Sequence, residues 1–136
     1  MALEDDKEIE QLLKDARTIA VVGASKSPNR DSTMIMQYLM NRGYEVIPVN
    51  PNYDEVLGRK CFPTITSIGK AVDIVDVFRR SEFVDEVAKD AVQANAGILW
   101  MQLGVINETA SQFAISHGMK VVDNRCIMVE HRRLIH

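Results

Sequence analysis

Residues 18–32 read TIAVVGASKSPNRDS, an apolar run followed by a polar loop that begins with a glycine. The run from Thr18 to Val22 is typical of a strand that is buried on both faces of a sheet. Gly23 permits a sharp turn off this strand, and Asp31 is a candidate helix start because its carboxylate can accept hydrogen bonds from unpaired backbone N–H groups. A strand, a glycine loop and a helix in this order predict the first unit of a doubly wound α/β domain.

Similar units repeat along the rest of the chain. Apolar runs predict strands at residues 18–22, 45–49, 74–78, 98–101 and 120–123. Between two of them, Val84, Val87, Ala88 and Ala91 recur at the spacing of one buried helical stripe. The alternation predicts α/β architecture, with a single Rossmann-like, doubly wound, five-stranded parallel sheet and helices on both faces. We expect one domain over residues 1–136, with a helix in residues 1–17 packed on it.

Glycine, polar cap residues and proline mark the predicted boundaries. Glycines that can adopt a left-handed conformation predict helix ends at Gly43, Gly97 and Gly118. Polar side chains predict helix starts at Asp31, Ser81 and Asn107. Pro48 cannot donate to a neighbouring strand, so it should lie near the end of its strand or at an edge of the sheet.

The composition limits the partners. The chain has 136 residues, and 16 Lys and Arg against 19 Asp and Glu give a net charge of −3, so we expect no nucleic-acid partner. The apolar runs are far shorter than the roughly 18 residues of a membrane span, and the start of the chain lacks the pattern of a signal peptide. Two cysteines are too few for a disulfide framework. These features predict a cytoplasmic protein with no membrane partner.

The loop after the first strand has the residues of a phosphate cradle. Gly23 and Ala24 are small enough for the backbone to approach a ligand, and Ser25 and Ser32 carry hydroxyl donors. The helix that follows adds free N–H groups and a partial positive charge, and Arg30 adds a guanidinium group. The alternative is a tight turn that any α/β fold contains, because a single glycine loop is a weak signal.

The loops after the second and third strands distinguish between ligands. An adenine dinucleotide calls for a carboxylate after the second strand, and this chain has Asn50 and Pro51 there. Arg79 and Arg80 follow the third strand, where guanidinium groups match phosphate oxygens. The alternative is a solvated pair that balances the acidic residues of the next helix. Together the loops predict a nucleotide with phosphates at two separate places, which coenzyme A (CoA) has.

Five blocks in order carry a resemblance to a known family. They are VVGAS (21–25), GYEVIPVNP (43–51), VDIVDVFR (72–79), LWMQLG (99–104) and DNRC (123–126). The chain resembles the stand-alone CoA-binding proteins, whose domain is also the amino-terminal domain of the succinyl-CoA synthetase alpha subunit. The resemblance covers residues 19–134 and implies CoA as the ligand.

The resemblance also implies roles for the residues of these blocks. Those expected at the pyrophosphate are Gly23, Ala24 and Ser25, with Arg30 and Ser32 nearby. Those expected at the adenosine end or the 3′-phosphate are Asn50, Pro51, Phe78, Arg79 and Arg80. Those expected beside the pantetheine arm are Gln102, Leu103 and Gly104. The chain departs from the synthetase at Phe78-Arg79, where the subunit has a proline-rich turn, and it lacks the synthetase domain with the phosphorylated histidine.

These observations predict a non-catalytic cytoplasmic protein that binds CoA or an acyl-CoA at the carboxyl edge of the sheet. Two alternatives stay open: an oxidoreductase that uses NAD or NADP, and a CoA-linked thiol redox protein that uses Cys126. Cys126 is a candidate because it precedes a predicted helix start, where a thiolate is stabilised; otherwise it is a small core residue.

Histidine and methionine carry no predicted role in the site. We interpret His117, His131 and His136 as surface residues without metal-ligand spacing, so no metal site is predicted. We interpret Met34, Met36 and Met40 as core residues.

Overall fold

The computed structural model describes all residues from 1 to 136. In chain order its elements are α1 (Asp6–Asp15), β1 (Thr18–Val22), α2 (Asp31–Asn41), β2 (Glu45–Val49), β3 (Glu55–Val56), β4 (Arg59–Lys60), β5 (Ile74–Val77), α3 (Val84–Gln93), β6 (Ile98–Met101), α4 (Glu108–Ser116), β7 (Lys120–Val122) and α5 (Ile127–Leu134). Two 3₁₀ turns occupy Thr66–Ile68 and Ser81–Phe83. None of the helices has the length and apolar character needed to cross a bilayer.

Five strands form one parallel sheet in the order β2-β1-β5-β6-β7. The order reverses direction between β1 and β5, so the crevice outside their carboxyl ends is the place where doubly wound sheets bind ligands. β3 and β4 form a separate antiparallel hairpin after β2. The predicted fold class, α/β with a doubly wound five-stranded sheet, is confirmed.

Each face of the sheet carries its own hydrophobic core. One core holds 19 buried residues and joins the sheet to α3 and α4, and the other holds 18 and joins it to α1, α2 and α5. Trp100 is fully buried in the second core, and its indole N–H donates to the carbonyl of Arg125 at 2.8 Å. Burying one such large apolar side chain stabilises a fold by about 1.5 to 3 kcal/mol. The two cores therefore hold the strand ends rigidly enough to position loops.

The strand predictions are confirmed to within one residue. β5 ends at Val77 and β7 ends at Val122, each one residue earlier than predicted. β2 lies at an edge of the sheet, so Pro48 leaves no neighbouring strand without a donor. The irregular segment after Pro51 contains the short β3–β4 hairpin, which its glycine and proline content did not reveal.

Helix boundaries agree less evenly with the prediction. Gly43 and Gly118 adopt positive φ angles of 93° and 90° after their helices, but before Gly97 it is Asn95, at φ 58°, that takes the left-handed conformation. Asn107 caps α4 by accepting from Ala110 N at 2.9 Å. A helical turn does begin at Ser81, but it is the 3₁₀ turn that precedes α3, and the Ser81 hydroxyl accepts from Ile106 N at 3.0 Å instead of capping it.

An ion-pair cluster attaches α5 to α1. The nearly buried Glu130 carboxylate lies 2.6 Å from the Arg125 guanidinium and 3.0 Å from that of Arg133. Arg133 also contacts Asp6 at 2.7 Å. Hydrogen bonding from Arg133, followed by that from Arg125, lowers the pKa of Glu130. The cluster keeps the start of α5 in place beside the carboxyl end of the sheet.

His131 contradicts its predicted surface position. Its side chain is 7% exposed, and Nδ1 lies 2.8 Å from the Tyr38 hydroxyl, which links α5 to α2. Burial, and to a lesser extent the charge of Arg42, lowers its pKa. The sequence prediction failed because Tyr38 and His131 are 93 residues apart, so no local pattern reveals their contact.

Asp76 is a buried carboxyl group in the centre of β5. It is fully buried between Val21 and Trp100 on the neighbouring strands, and neither carboxyl oxygen has a hydrogen-bond partner. Burial raises the pKa of Asp76 well above its usual range because a charge there would lose its hydration. The folded protein therefore holds this proton more tightly than the unfolded chain does.

We expect Asp76→Asn to stabilise the protein at neutral pH. The wild type should lose free energy of unfolding relative to the variant as pH rises above about 4, because the unfolded carboxyl ionises with a pKa near 3.9 while the folded one stays neutral. The difference should grow by up to about 1.4 kcal/mol per pH unit until the folded pKa is reached. Urea unfolding from pH 4 to 8 measures it, with Asp54→Asn, at an exposed position, as the control. Parallel curves for wild type and Asp76→Asn would contradict the assignment.

Candidate functional site

A groove lies across the carboxyl ends of β1, β2 and β5. It has a volume of about 800 Å³ and is lined by the loop after β1, the segment after β2 and the start of the loop after β5. This is the point at which the strand order reverses. The structure therefore places the candidate site where the fold class predicts it.

Gly23 brings the loop after β1 against the end of β5. Its φ is 90°, and its N–H donates to the carbonyl of Val49 at 3.0 Å. A Cβ at this position would lie 2.7 Å from the carbonyl oxygen of Phe78 and 3.4 Å from Arg79 Cδ. Both the left-handed conformation and the absence of space require glycine. The close approach sets the distance between the first loop and the third-strand loop.

Side chains from β2 and α2 hold the rest of the first loop. The Asn50 amide donates to the carbonyl of Ala24 at 2.8 Å, and its oxygen accepts from Asn52 N at 2.9 Å. The Thr33 hydroxyl lies 2.8 Å from Ser25 O and 2.6 Å from Ser27 O. Both polar atoms of the Asn50 side chain are thus used within the protein. The structure indicates that Asn50 positions the loop.

Backbone N–H groups in the loop after β1 and at the start of α2 have no partner within the protein. Those of residues that line the groove belong to Ala24, Ser25, Asp31 and Ser32, the first two in the loop and the other two at the start of α2. The residue that precedes α2 is Arg30, whose side chain makes no capping hydrogen bond. Free N–H groups at a helix start bind anions, with a dipole contribution of about 0.3 to 1 kcal/mol. The loop and α2 together provide the donors that the sequence predicted.

Some charged side chains that line the groove are held by contacts within the protein, and others have no ion-pair partner. Asp90 accepts from the backbone N–H groups of Ile65 and Thr66 at 2.7 and 3.1 Å, so its carboxylate fastens the segment that closes one side. Arg30 and Arg79, by contrast, make no ion pair, and the Arg79 guanidinium lies 5.0 Å from the ring of Phe83. Arg79 and Arg80 form no ion pair with the acids of the next helix. These guanidinium groups are free to contact a ligand.

A second pocket of about 450 Å³ adjoins the groove over the ends of β5 and β6. Asp31, Phe78 and Arg79 line both spaces, so the two adjoin each other. The second pocket is closed on its far side by Cys126 and Met128 at the start of α5. The candidate site therefore has two adjoining compartments.

The predicted site residues distribute over these compartments. The groove is lined by Gly23, Ala24, Ser25, Arg30, Ser32, Asn50, Pro51, Phe78 and Arg79. The second pocket is lined by Arg80, Gln102, Leu103 and Cys126, together with Phe78 and Arg79. Gly104 lies outside both: its φ is 87°, and its N–H donates to Asn124 Oδ1 at 2.8 Å. The structure thus brings together all of them except Gly104, which serves a turn.

Two of the residues that line the second pocket also contribute to the start of α5. The buried Gln102 side chain accepts from Ile127 N at 3.0 Å, which satisfies a free donor at the start of α5. Cys126 is the residue just before that helix and is half-buried. The other cysteine, Cys61, is buried against the carbonyl of Asn50, and burial raises the pKa of its thiol. Cys61 is therefore a structural residue.

Sequence reasoning missed part of the lining. Asn52, Tyr53, Pro63 and Thr64 come from the irregular segment after β2, where no periodicity marks an inward side chain. Met34 was predicted in the core, but it is 51% exposed and lines the second pocket. In α2 the buried residues Ser32 and Met36 are four positions apart, and so are Ile35 and Leu39. This spacing defines the buried face of the helix, and Met34 does not lie on it. The spacing was therefore the available signal that Met34 faces away from the core.

Comparison with known proteins identifies the family. Residues 17–132 match the model of a family described as CoA binding domain. The chain is 42% identical over 124 residues to the uncharacterised protein YneT of Bacillus subtilis, which covers 91% of this chain and 92% of YneT. A hypothetical protein from Pyrococcus horikoshii superposes with a TM-score of 0.95 at 41% identity, over 98% of this chain and 94% of the other.

A larger enzyme contains a similar domain. The dinucleotide-forming acetyl-coenzyme A synthetase 1 of Korarchaeum cryptofilum superposes with a TM-score of 0.75 at 30% identity. The match covers 84% of this chain and only 27% of the synthetase, so the similarity concerns one part of that enzyme. With a groove of free amide donors at the reversal of strand order and a family match over most of its length, the chain belongs to the CoA-binding domain family.

Proposed function

We propose that residues 1–136 act as a single non-catalytic unit that binds CoA or an acyl-CoA across the carboxyl edge of the sheet. The observation that carries the proposal is the set of four unpaired N–H groups of groove-lining residues in the loop after β1 and at the start of α2. Oriented backbone donors of this kind suit a pyrophosphate. Membership of the CoA-binding domain family supports CoA as the nucleotide whose pyrophosphate binds there.

The two compartments suggest how the ligand is oriented. The pyrophosphate would bind at Ala24 and Ser25, with Arg30 beside it. The adenosine would lie toward β2, where the aromatic ring of Tyr53 and the ring of Pro51 line the groove. The pantetheine arm would then pass Phe78 along the boundary between the two compartments, so that its thiol end reaches the second pocket. When bound, CoA supplies a thiol that carries acyl groups as thioesters, and the residues of this chain bind and orient it.

Several features support binding without catalysis. Of the charged side chains that line the groove, Arg30 and Arg79 are suited to anions and Asp90 holds the segment at Ile65 and Thr66, while the carboxylates of Asp31 and Glu86 make no ion pair. The match to the Korarchaeum synthetase covers 27% of that chain, so its reaction does not transfer to this protein. The two free cysteines accord with the reducing cytoplasm that we propose as its location.

The alternatives are less well supported. A ribose-binding carboxylate after β2 is replaced by Asn50, whose amide is engaged within the protein, and this disfavours NAD or NADP. Cys126 lines the second pocket, and its reactivity stays a prediction.

We expect CoA to stabilise the protein against heat. Binding at 100 times the dissociation constant adds about 2.7 kcal/mol to the free energy of unfolding, which raises the Tm of a domain of this size by several degrees. Differential scanning fluorimetry with CoA, and with NAD as the matched control, measures the effect. An unchanged Tm at millimolar CoA, or a shift produced by NAD alone, would rule out the proposed ligand.

We expect Arg79→Ala to weaken binding of CoA more than binding of dephospho-CoA. A guanidinium–phosphate contact contributes about 1.5 to 3 kcal/mol, so CoA should bind roughly 10- to 150-fold more weakly if Arg79 contacts the 3′-phosphate. Isothermal titration with both ligands measures the difference. The control is Arg17→Ala, because Arg17 is exposed and lies just before β1, at the opposite edge of the sheet. Equal losses for the two ligands would assign Arg79 to the pyrophosphate instead.

A further inference from the structure

The second pocket differs from the groove in its chemistry. Its wall is mostly apolar, with side chains from α2, from the loop after β6 and from the start of α5. Two of them are unusually exposed: Leu103 is 71% exposed and Met34 is 51% exposed. Large apolar side chains grouped in water at the mouth of a pocket are typical of a binding surface.

Polar groups form the smaller part of this pocket's wall. The Gln102 side-chain oxygen already accepts from Ile127 N. Of its charged residues, Asp31 and Arg79 lie on the boundary with the groove, where both compartments share them, and Arg80 lines this pocket alone. Beyond that boundary the pocket offers contacts to carbon more than hydrogen bonds. An occupant that enters from the groove should therefore be polar at the boundary and apolar at its end.

We propose that the second pocket binds the acyl chain of an acyl-CoA, so that this protein prefers an aliphatic thioester of several carbons to free CoA. The proposal rests on the proposed function, because the nucleotide in the groove anchors the ligand. Met34 and Met128 favour flexible aliphatic chains, since unbranched thioether side chains adapt to different shapes. The volume of about 450 Å³ lies within the range of small-ligand pockets.

The proposal predicts a dependence of affinity on chain length. Full burial of one methylene group tightens binding by about fourfold, and an open pocket should give part of this. We expect hexanoyl-CoA to bind roughly 10- to 100-fold more tightly than CoA, with acetyl-CoA and butyryl-CoA between them. Isothermal titration of the four ligands measures the series.

A double variant and a control variant test whether the acyl chain lies in the second pocket. Met34→Gln with Leu103→Gln replaces two exposed apolar side chains by neutral polar ones, and we expect it to bring the ratio of the CoA and hexanoyl-CoA dissociation constants to within about threefold of unity. Ile106→Gln is the matched control, because Ile106 is also 51% exposed and lies outside the pocket. The ratio is the readout, so an effect of either variant on nucleotide binding cancels.

The outcomes separate this inference from the proposed function. If CoA and hexanoyl-CoA bind with equal affinity, the acyl pocket is wrong while CoA binding stands. If the affinity of the double variant still depends on the length of the acyl chain, the acyl chain binds outside the second pocket and the inference also fails. If the wild type is dimeric by light scattering and the double variant is a monomer with unchanged ratio, the pocket is instead an interface between copies. If no CoA species binds, both proposals fail.

Discussion

The site depends on the close approach of Gly23 to the main chain of Phe78. No other residue type fits, because a Cβ would lie 2.7 Å from the carbonyl oxygen of Phe78 and the φ of 90° is left-handed. This contact brings together a loop rich in backbone donors and a loop that carries arginines, although 55 residues separate Gly23 from Phe78 in the chain. The parallel pairing of β1 with β5 makes the approach possible.

The protein uses some of its polar groups for structure and leaves others free. The side chains of Asn50 and Asp90 form hydrogen bonds that hold backbone segments in place, and the Gln102 side chain accepts a hydrogen bond from the backbone N–H at the start of α5. The amide N–H groups of Ala24 and Ser25 are left without a partner. Donors that are fixed by their surroundings lose little entropy when a ligand binds, which is how a small domain can bind a large, flexible cofactor.

Sequence reasoning reached the fold because the strands of a parallel sheet are continuous apolar runs, and β1 and β2 follow that rule after their first residues, Thr18 and Glu45. It located the first loop because Gly23 and a helix start have a local signature. It did not identify Tyr53 or Met34 as lining residues, and it misplaced His131, because each of these positions depends on contacts between distant segments. It also did not reveal that Asn50, which was predicted at the ligand, holds the first loop.

Amide chemical shifts test the central claim most directly, because the claim concerns particular N–H groups. In a ¹⁵N-labelled sample titrated with CoA, the account predicts the largest shifts at the amides of Ala24, Ser25, Asp31 and Ser32, with downfield movement as each gains an anionic acceptor. Shifts confined to other parts of the molecule, such as the β3–β4 hairpin or the amino edge of the sheet, would contradict it.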